Sequence, residues 1–317
     1  MQTRQTVTFA TANLFNFVEP PGAYYDFENI YEREAWQHKC HWTQNQLSQL
    51  NADVVGLQEV FSIDAARDMM CALGYRYFAT VDEPHVADEY IYSKPVVAIA
   101  SKYPISECKA VTPLSAIELA YEVDLPSFSR PPICATVLVP DIGHLTVYVC
   151  HLKSQRATEG RDSAVSMPLV GRWLSSQQRG WEAVMLYQFM ANEYDQQPVP
   201  TVLLGDMNQS LTSDITSQLT SNAVQQQGAR FCLKDSWELL KQPIADSNRP
   251  ATHYHFAQGN VLDYILLSPE FHPDLPYSMA DVTAYTTLDQ HLINPKFATD
   301  RQASDHAFVS VTVEFVL

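Results

Sequence analysis

The sequence predicts an α/β protein in which two β-sheets pack face to face with helices on their outer sides. Short runs of β-branched and aromatic residues recur throughout the 317-residue chain, whereas only three segments have clear helical spacing. So many strands with so few helices do not fit a sheet in which the two alternate strictly. The predicted strands span residues 7–12, 53–58, 96–101, 133–139, 145–152, 201–206, 261–267 and 307–315.

Three helices are predicted between these strands. The first presents one face on which residues recur alternately four and three positions apart, namely Trp36, Cys40, Thr43, Leu47 and Leu50. We therefore expect Cys40 to be a core residue. The second helix begins after Ser62 as its N-cap and ends at Gly74, and the third covers residues 173–192.

Composition and charge limit the classes of function. The length is compatible with one domain over residues 1–317, and we expect a monomer. No apolar run is long enough to cross a bilayer and the first residues lack a signal-peptide pattern, so we expect a cytoplasmic protein without a membrane partner. The six cysteines are scattered without a CxxC pair, which favours free thiols.

The formal net charge of −16 argues against binding nucleic acid through a broad basic surface. It does not exclude a nuclease. A hydrolase that gathers carboxylates around metal ions begins with an acidic bias, which the bound cations offset locally.

Several predicted strands end in polar residues suited to phosphate-ester hydrolysis. These residues are Glu59 after VVGLQ, Asp206 and Asn208 in TVLLGDMN, and Asp305 and His306 before the last strand. Hydrolysis requires charge to be neutralised on the phosphoryl oxygens and a water to be activated, and carboxylates that hold a metal ion supply much of this. Residues two apart in an extended chain point to the same side, which predicts that Asp206 and Asn208 lie together. Taken singly, each is more often a turn residue or a helix cap.

Seven short motifs, in order along the chain, resemble those of the endonuclease/exonuclease/phosphatase superfamily, the group that contains deoxyribonuclease I and exonuclease III. Each motif alone is weak, but seven in this order are specific. They are TANL with Asn13, GLQEV with Glu59, VAIASKYPI at 97–105, VCHLKS with His151, GDMN with Asp206 and Asn208, LDYILLS with Asp263, and SDHAFV with Asp305 and His306. The resemblance implies an α/β fold of the four-layered α/β/β/α sandwich type, with two mixed, mainly antiparallel sheets that bring these residues together at one end.

The resemblance also implies a hydrolase that depends on Mg²⁺ or Mn²⁺. Glu59 would be the principal metal ligand, with Asp305 and Asn13 close by, and oxygen ligands are those that Mg²⁺ prefers. Asn13 and Asn208 would hold the phosphate or the attacking water.

The remaining family positions imply the catalytic groups. Asp263 would orient His306 and favour its protonated form. Either His306 or Asp206 would act as the general base, and the sequence leaves this choice open. His151 would lie near the phosphate or the leaving group.

The motifs also disfavour one branch of the superfamily. Repair enzymes of the exonuclease III type have WNVNG and QET in the corresponding places, with tyrosine and asparagine where this chain has VCHLK. Abasic-site repair is therefore disfavoured. No segment resembles the lipid-anchoring or phosphoinositide-specific inserts of other branches.

A basic island follows His151. Between residues 153 and 179, five basic side chains stand against two acidic ones in a chain that is acidic overall. Arginine forms bidentate contacts with phosphate oxygens, so this segment is a candidate for substrate binding through Lys153, Arg156 and Arg179. For Arg161 and Arg172 a solvated surface position is favoured.

Three other patterns have a structural explanation beside a functional one. HKCH at residues 38–41 suggests zinc, but the apolar helix face that includes Cys40 favours core and surface positions. His253 and His255 lie on the same side of a predicted strand, either at the surface or at the edge of a substrate site. Aromatic residues between Phe15 and Trp36 either pack over the sheet edge or stack on a ring of the substrate.

These observations leave three hypotheses. The leading one is a phosphodiesterase, either a nuclease or a nucleotide-processing enzyme, whose partner is a phosphate ester such as a nucleic acid or nucleotide. The alternative is a phosphomonoesterase that acts on a small phosphorylated metabolite. A catalytically silent binding module is disfavoured, because none of the metal-ligand or histidine positions is missing.

Overall fold

The computed structural model describes residues 4–160, 167–220, 230–241 and 248–316. Its strands are β1 (Arg4–Phe17), β2 (Ala23–Tyr24), β3 (Val54–Val60), β4 (Tyr77–Ala79), β5 (His85–Ala87), β6 (Ile91–Lys94), β7 (Val96–Ser101), β8 (Ile105–Ala110), β9 (Ile133–Val139), β10 (Gly143–His151), β11 (Thr201–Asp206), β12 (Lys234–Asp235), β13 (His253–His255), β14 (Gln258–Asn260), β15 (Asp263–Leu267), β16 (Ala280–Leu288) and β17 (Phe308–Val316). Its α-helices are α1 (Arg33–Leu50), α2 (Ile63–Ala72), α3 (Ser115–Tyr121), α4 (Pro168–Gln196), α5 (Gln290–Ile293) and α6 (Phe297–Asp300).

Two six-stranded sheets form the centre of the molecule. The first has the order β16-β17-β1-β3-β7-β4 and the second β12-β15-β11-β10-β9-β8. Within them only β1 with β3 and β10 with β11 pair in parallel, and every other pair is antiparallel. Both sheets are therefore mixed and mainly antiparallel, as predicted.

Each sheet is apolar on both faces, so the two sheets pack against each other and helices cover their outer faces in four layers. Between the sheets lies a core that takes Val7 and Phe9 from the first sheet and Val149 and Leu204 from the second. Helices α1 and α2 cover the outer face of the first sheet, and α4 covers that of the second. This arrangement confirms the predicted α/β/β/α sandwich.

Strand alternation places polar side chains at one end of this inner core. Successive side chains on a strand point to opposite faces, and on β1 the buried row Val7, Phe9 and Thr11 continues to Asn13. The row Val147 and Val149 on β10 likewise continues to a polar residue, His151. On β11 and β15 the same rows reach Asp206 and Asp263.

The predicted elements and the structure differ mainly at the ends and edges. Helix α4 begins and ends several residues outside the predicted span of 173–192. The edge strand β16 was not predicted, because its register with β17 shifts between Val282 and Ala284 and so breaks the alternation of apolar side chains. Cys40 is only half-buried at the margin of the core, whereas its neighbours Lys39 and Trp42 are buried. In the described ranges, none of the helices has the length and apolar character that crossing a bilayer requires.

Candidate active site

A large cleft opens at the end of the sandwich where the polar rows emerge. Its volume is about 1820 Å³. The predicted positions that line it are Glu59, His151, Lys153, Arg156, Asp206, Asn208, Asp305 and His306. Asn13 and Asp263 lie directly below, fully buried. The structure therefore brings together residues that are up to 293 positions apart in a chain of 317.

Asp206 is the centre of the cleft floor, which we define as Asn13, His151, Asp206, Asp263 and His306. Its Oδ2 accepts a hydrogen bond from Asn13 Nδ2 at 3.1 Å. The Nε2 atoms of His151 and His306 lie 3.5 and 3.8 Å from the same oxygen. His306 Nδ1 lies 2.8 Å from Asp263 Oδ2, so one continuous polar chain crosses the floor.

The backbone holds this floor in place. His151 is the strand partner of Asp206 where β10 and β11 run parallel, and Asp206 is the strand partner of Asp263 where β11 and β15 run antiparallel. A Cβ atom at Gly205 would lie 2.2 Å from the Cys150 carbonyl oxygen, so this close approach of the strands requires glycine.

Ser304 ties the last strand to the first. Its hydroxyl donates to the Asn13 carbonyl oxygen at 2.7 Å and accepts from the His306 backbone N–H at 3.0 Å. The two interactions fix His306 relative to Asn13. The serine of the SDHAFV motif thus positions the motif's histidine.

Burial and neighbouring charges shift the pKa values of the floor groups in different directions. Burial raises the pKa of Asp206 to about 7, although the nearby His306 opposes the shift. Burial alone would lower the pKa of His306, but the carboxylates of Asp263 and Asp206 together hold that pKa well above its ordinary value. Burial, together with the positive charge of Arg130, holds the pKa of His151 well below its ordinary value. At neutral pH the floor thus contains a protonated and a neutral imidazole around one carboxyl group.

Glu59 lies where the regular backbone of β3 breaks. The pairing of β3 with β7 is irregular between Leu57 and Val60, and Glu59 has a φ of 59°. Its Oε2 accepts a hydrogen bond from the Asn16 backbone N–H at 2.8 Å. Asn16 has a φ of 52°, so both partners occupy the left-handed region that side chains disfavour. Strained backbone of this kind is concentrated at functional sites.

Asn208 is held differently from the prediction. Strand β11 ends at Asp206, and Asn208 has a φ of 53°, so the two residues are not neighbours on an extended strand. Instead, the Asn208 backbone N–H donates to Asp206 Oδ1 at 2.7 Å, and its Nδ2 donates to the Leu152 carbonyl oxygen at 2.9 Å. Both residues line the cleft, but a turn brings them there.

Asp305 and Glu59 are half-buried carboxylates at the edge of the floor. Asp305 Oδ1 is buried without a hydrogen-bond partner among the described residues. Asn13 Oδ1 accepts from the Phe15 backbone N–H at 3.0 Å and retains a second lone pair. The three residues offer the oxygen ligands that a hard divalent cation requires.

The wall of the cleft, defined as Tyr25, Arg130, Lys153 and Arg156, carries positive charge. The Arg156 guanidinium lies 5.9 Å from the centre of the Tyr25 ring. Arg130 donates to the carbonyl oxygens of His151 and Leu152 at 3.2 and 3.3 Å, which places its charge beside the floor. The sequence pattern did not single out Arg130, because its segment carries no strand or helix signal.

Arg179 is a correction to the predicted substrate-binding set. It is only 2% exposed and does not line the cleft. Its guanidinium donates to the carbonyl oxygens of Lys153 and Ser154 and to Gln209 Oε1. Since these donors are occupied by the protein itself, Arg179 supports the loop that carries Lys153 rather than reaching a substrate.

The buried carboxylate of Glu182 supports the same loop. It accepts hydrogen bonds from the backbone N–H groups of Ser129 and Lys153 at 2.7 and 2.6 Å. Helix α4 thereby holds the two loops that carry Arg130 and Lys153. Arg172, for which a surface position was favoured, is exposed and lines the outer part of the cleft. Arg161 lies outside the described residues.

The histidine and aromatic patterns differ in whether they reach the cleft. His38 and His41 are exposed, and within the described ranges neither belongs to a group of three side chains placed to share an ion. His253 and His255 both line the cleft. Among the aromatic residues after Asn13, Phe17 is buried against Trp36, with 4.6 Å between the ring centres, whereas Tyr24 and Tyr25 line the cleft.

A buried lysine below the cleft was not predicted. Lys39 is 1% exposed, and its Nζ lies 5.4 and 5.6 Å from the centres of the Phe15 and Tyr31 rings. Burial lowers the pKa of Lys39 to about 8, although Glu59 and Asp305 act to raise it. The signal was present, since Lys39 follows Trp36 by three positions on the buried face of α1.

Comparisons with solved structures agree with this fold. The chain is similar to the catalytic domain of human nocturnin with bound sulfate anion (TM-score 0.63, 16% identity, covering 99% of this chain and 98% of that one). It is also similar to an endonuclease/exonuclease/phosphatase from Bacteroides vulgatus (TM-score 0.60, 15% identity, 98% and 99% covered). Truncated TDP2 from Caenorhabditis elegans gives a TM-score of 0.58 at 13% identity, with 98% of each chain covered. At these identities the likeness concerns the fold.

Sequence comparisons give the family. No curated protein matches this chain significantly. The family model of the Endonuclease/Exonuclease/phosphatase family matches residues 41–306, which is most of the chain and includes most of the residues that line the cleft. The chain therefore belongs to the Endonuclease/Exonuclease/phosphatase family.

Proposed function

We propose that this chain is a divalent-metal-dependent phosphodiesterase, acting as a nuclease or on nucleotides. The observation that carries the proposal is the floor itself, in which Asp206 meets two histidines beside the carboxylates Glu59 and Asp305. This set combines oxygen ligands for a cation with groups that accept and donate protons, which are the requirements of phosphate-ester hydrolysis.

The residues fit a hard divalent cation such as Mg²⁺ or Mn²⁺. Glu59 has one oxygen engaged by Asn16, which leaves the other for a cation. Asp305 Oδ1 is a buried acceptor without a partner among the described residues, and Asn13 adds an amide oxygen. When bound, the ion would neutralise charge on the phosphoryl oxygens and fix the position of the phosphate.

The floor groups take complementary roles in this proposal. Asp206 acts as the general base, since a pKa of about 7 suits proton transfer near neutral pH. His306, kept protonated by Asp263, donates a hydrogen bond to a phosphoryl oxygen. His151 stays neutral and contributes a ring N–H beside the leaving oxygen. Asn208 and Asn13 hold the Asp206 carboxylate in place.

The wall supports an extended, anionic substrate. Lys153 and Arg156 place charge along the cleft, and Tyr25 lies under Arg156 with its ring accessible for stacking. A cleft of about 1820 Å³ is larger than the 300–1,000 Å³ typical of small-molecule sites. Size and charge together favour a diester with groups on both sides of the phosphate over a small phosphomonoester.

We also propose that residues 1–317 act as one domain, which is supported by the core that both sheets share.

The experiment is a substrate panel with Mg²⁺ or Mn²⁺. Turnover of bis-(p-nitrophenyl) phosphate, single- and double-stranded DNA and RNA is compared with that of p-nitrophenyl phosphate. We expect turnover of the diesters, with the polymers preferred because they fill the cleft. Turnover of the monoester alone would replace the proposal with a phosphomonoesterase.

A further inference from the structure

The hairpin of β13 and β14 brings a second histidine against His306. His253 forms an isolated antiparallel bridge with His306, and the backbone N–H of Ala307 donates to the Thr252 carbonyl oxygen at 2.7 Å. The two imidazole rings lie 4.9 Å apart at an angle of 44°. Because the backbones are paired at this point, the two rings are held side by side.

Asp305 completes a group of three ligands. One ligand atom from each of His253, Asp305 and His306 lies within 4.8 Å of the others. Asp305 Oδ1 is buried and has no hydrogen-bond partner among the residues that the structure describes. Tetrahedral ligands at 2.0–2.1 Å from an ion lie about 3.4 Å apart, so closure around an ion requires only small side-chain movements.

The chemistry of this group differs from that of the proposed Mg²⁺ site. Mg²⁺ selects oxygen ligands, whereas imidazole suits Zn²⁺, Co²⁺ and related ions. Two imidazoles and one carboxylate, with a fourth position left to solvent, form a ligand set common in zinc proteins. The group is therefore suited to a different class of ion.

Occupation of this group would compete with catalysis. His306 Nδ1 is engaged by Asp263 at 2.8 Å, so only Nε2 is left for an ion. Nε2 is also the atom that faces Asp206, and Asp305 is a ligand of the proposed Mg²⁺ site. We propose that His253, Asp305 and His306 form an inhibitory site for Zn²⁺ or a similar ion, which removes His306 and Asp305 from the reaction. The inhibitory effect rests on the proposed function, but the ion site itself does not.

Ion binding is tested first, without reference to activity. Metal-stripped protein is titrated with Co²⁺ while visible absorption and heat are recorded, using the wild type, His253→Gln and, as a matched control on the same strand, His255→Gln. We expect His253→Gln to lower the affinity at least about tenfold, since even outer partners of metal ligands contribute 10- to 100-fold, while His255→Gln binds as the wild type does. Equal affinity in His253→Gln would overturn the site, and His253→Asn repeats the comparison should the first variant be unstable.

Inhibition is tested second, at a fixed Mg²⁺ concentration. Zn²⁺ is added to each variant, and turnover is expressed relative to that variant's own rate without Zn²⁺. We expect the half-inhibitory concentration to rise at least about tenfold in His253→Gln and to stay unchanged in His255→Gln. Equal Zn²⁺ sensitivity in all three proteins would overturn the inhibitory role. A protein that binds Co²⁺ through His253 but hydrolyses no phosphate ester would contradict the proposed function and leave the ion site standing.

Discussion

The floor and the wall of the cleft are built from different parts of the fold. Every floor residue is 6% exposed or less, and four of the five lie on a strand that pairs on both sides. The wall comes from connecting segments, and its members are exposed or half-buried. Buried strand ends are fixed by packing and connecting loops are not. Under the proposed function we therefore expect the chemistry to depend on the sandwich and the choice of substrate to depend on the loops.

Substitutions in the floor are expected to have the largest effect on turnover. His306→Ala should lower kcat by about 10²- to 10³-fold, because the loss of one positioned donor to developing negative charge costs on that scale. Asp263→Asn should act through the same histidine, so the double variant should lose less than the product of the two single losses. Steady-state kinetics and thermal melts of the three variants provide the check. Losses that multiply would show that the two residues act independently.

The pH profile sharpens the comparison, because Asp206 on the floor has a pKa near neutrality. Asp206 must be ionised to accept a proton and has a pKa of about 7, so kcat/KM should rise with pH by about tenfold per unit below that value. His306 stays protonated over this range, because its pKa is held well above the ordinary value. Asp263→Asn removes one of the carboxylates responsible and should bring in a loss of activity on the alkaline side. A wild-type profile that is flat between pH 5 and pH 8 would contradict Asp206 as the base.

A smaller effect is expected from the wall. Lys153→Ala/Arg156→Ala should raise KM for a polyanionic substrate by about 10-fold and flatten the salt dependence of kcat/KM, because these charges bind phosphate groups rather than the reacting atoms. The control is Arg67→Ala/Lys241→Ala, which removes the same charge outside the cleft. If the test and control variants give the same KM, the wall does not bind substrate.

Part of the floor could be predicted from the sequence for a physical reason. Apolar runs that end in polar residues encode both the buried strands and the groups that emerge from them, so Asp206 on the floor and Glu59 at its edge were predicted together with two packed sheets. His151 and the four-layered form of the sandwich were expected from the family resemblance. Where the side-chain alternation fails, as in β16, the strand was missed.

The wall was harder to predict, because a basic residue looks the same in sequence whether it binds substrate or the protein itself. Arg156 and Arg179 belong to one basic island, yet Arg156 faces the cleft while Arg179 is buried on backbone carbonyl oxygens. Only the path of the loop separates them. Lys39 shows the converse, since no prediction was made for this charged residue although its spacing from Trp36 places it on the buried face of α1.

Metal dependence tests the central claim most directly. Protein stripped with EDTA is assayed on bis-(p-nitrophenyl) phosphate while Mg²⁺ or Mn²⁺ is titrated back, in the wild type, in Glu59→Gln and in Glu19→Gln, an exposed carboxylate outside the cleft. We predict no turnover without metal, full recovery in the wild type and in Glu19→Gln, and a requirement for much higher Mg²⁺ in Glu59→Gln, because the floor alone cannot offset the charge of the phosphate. Full turnover in excess EDTA would contradict the account.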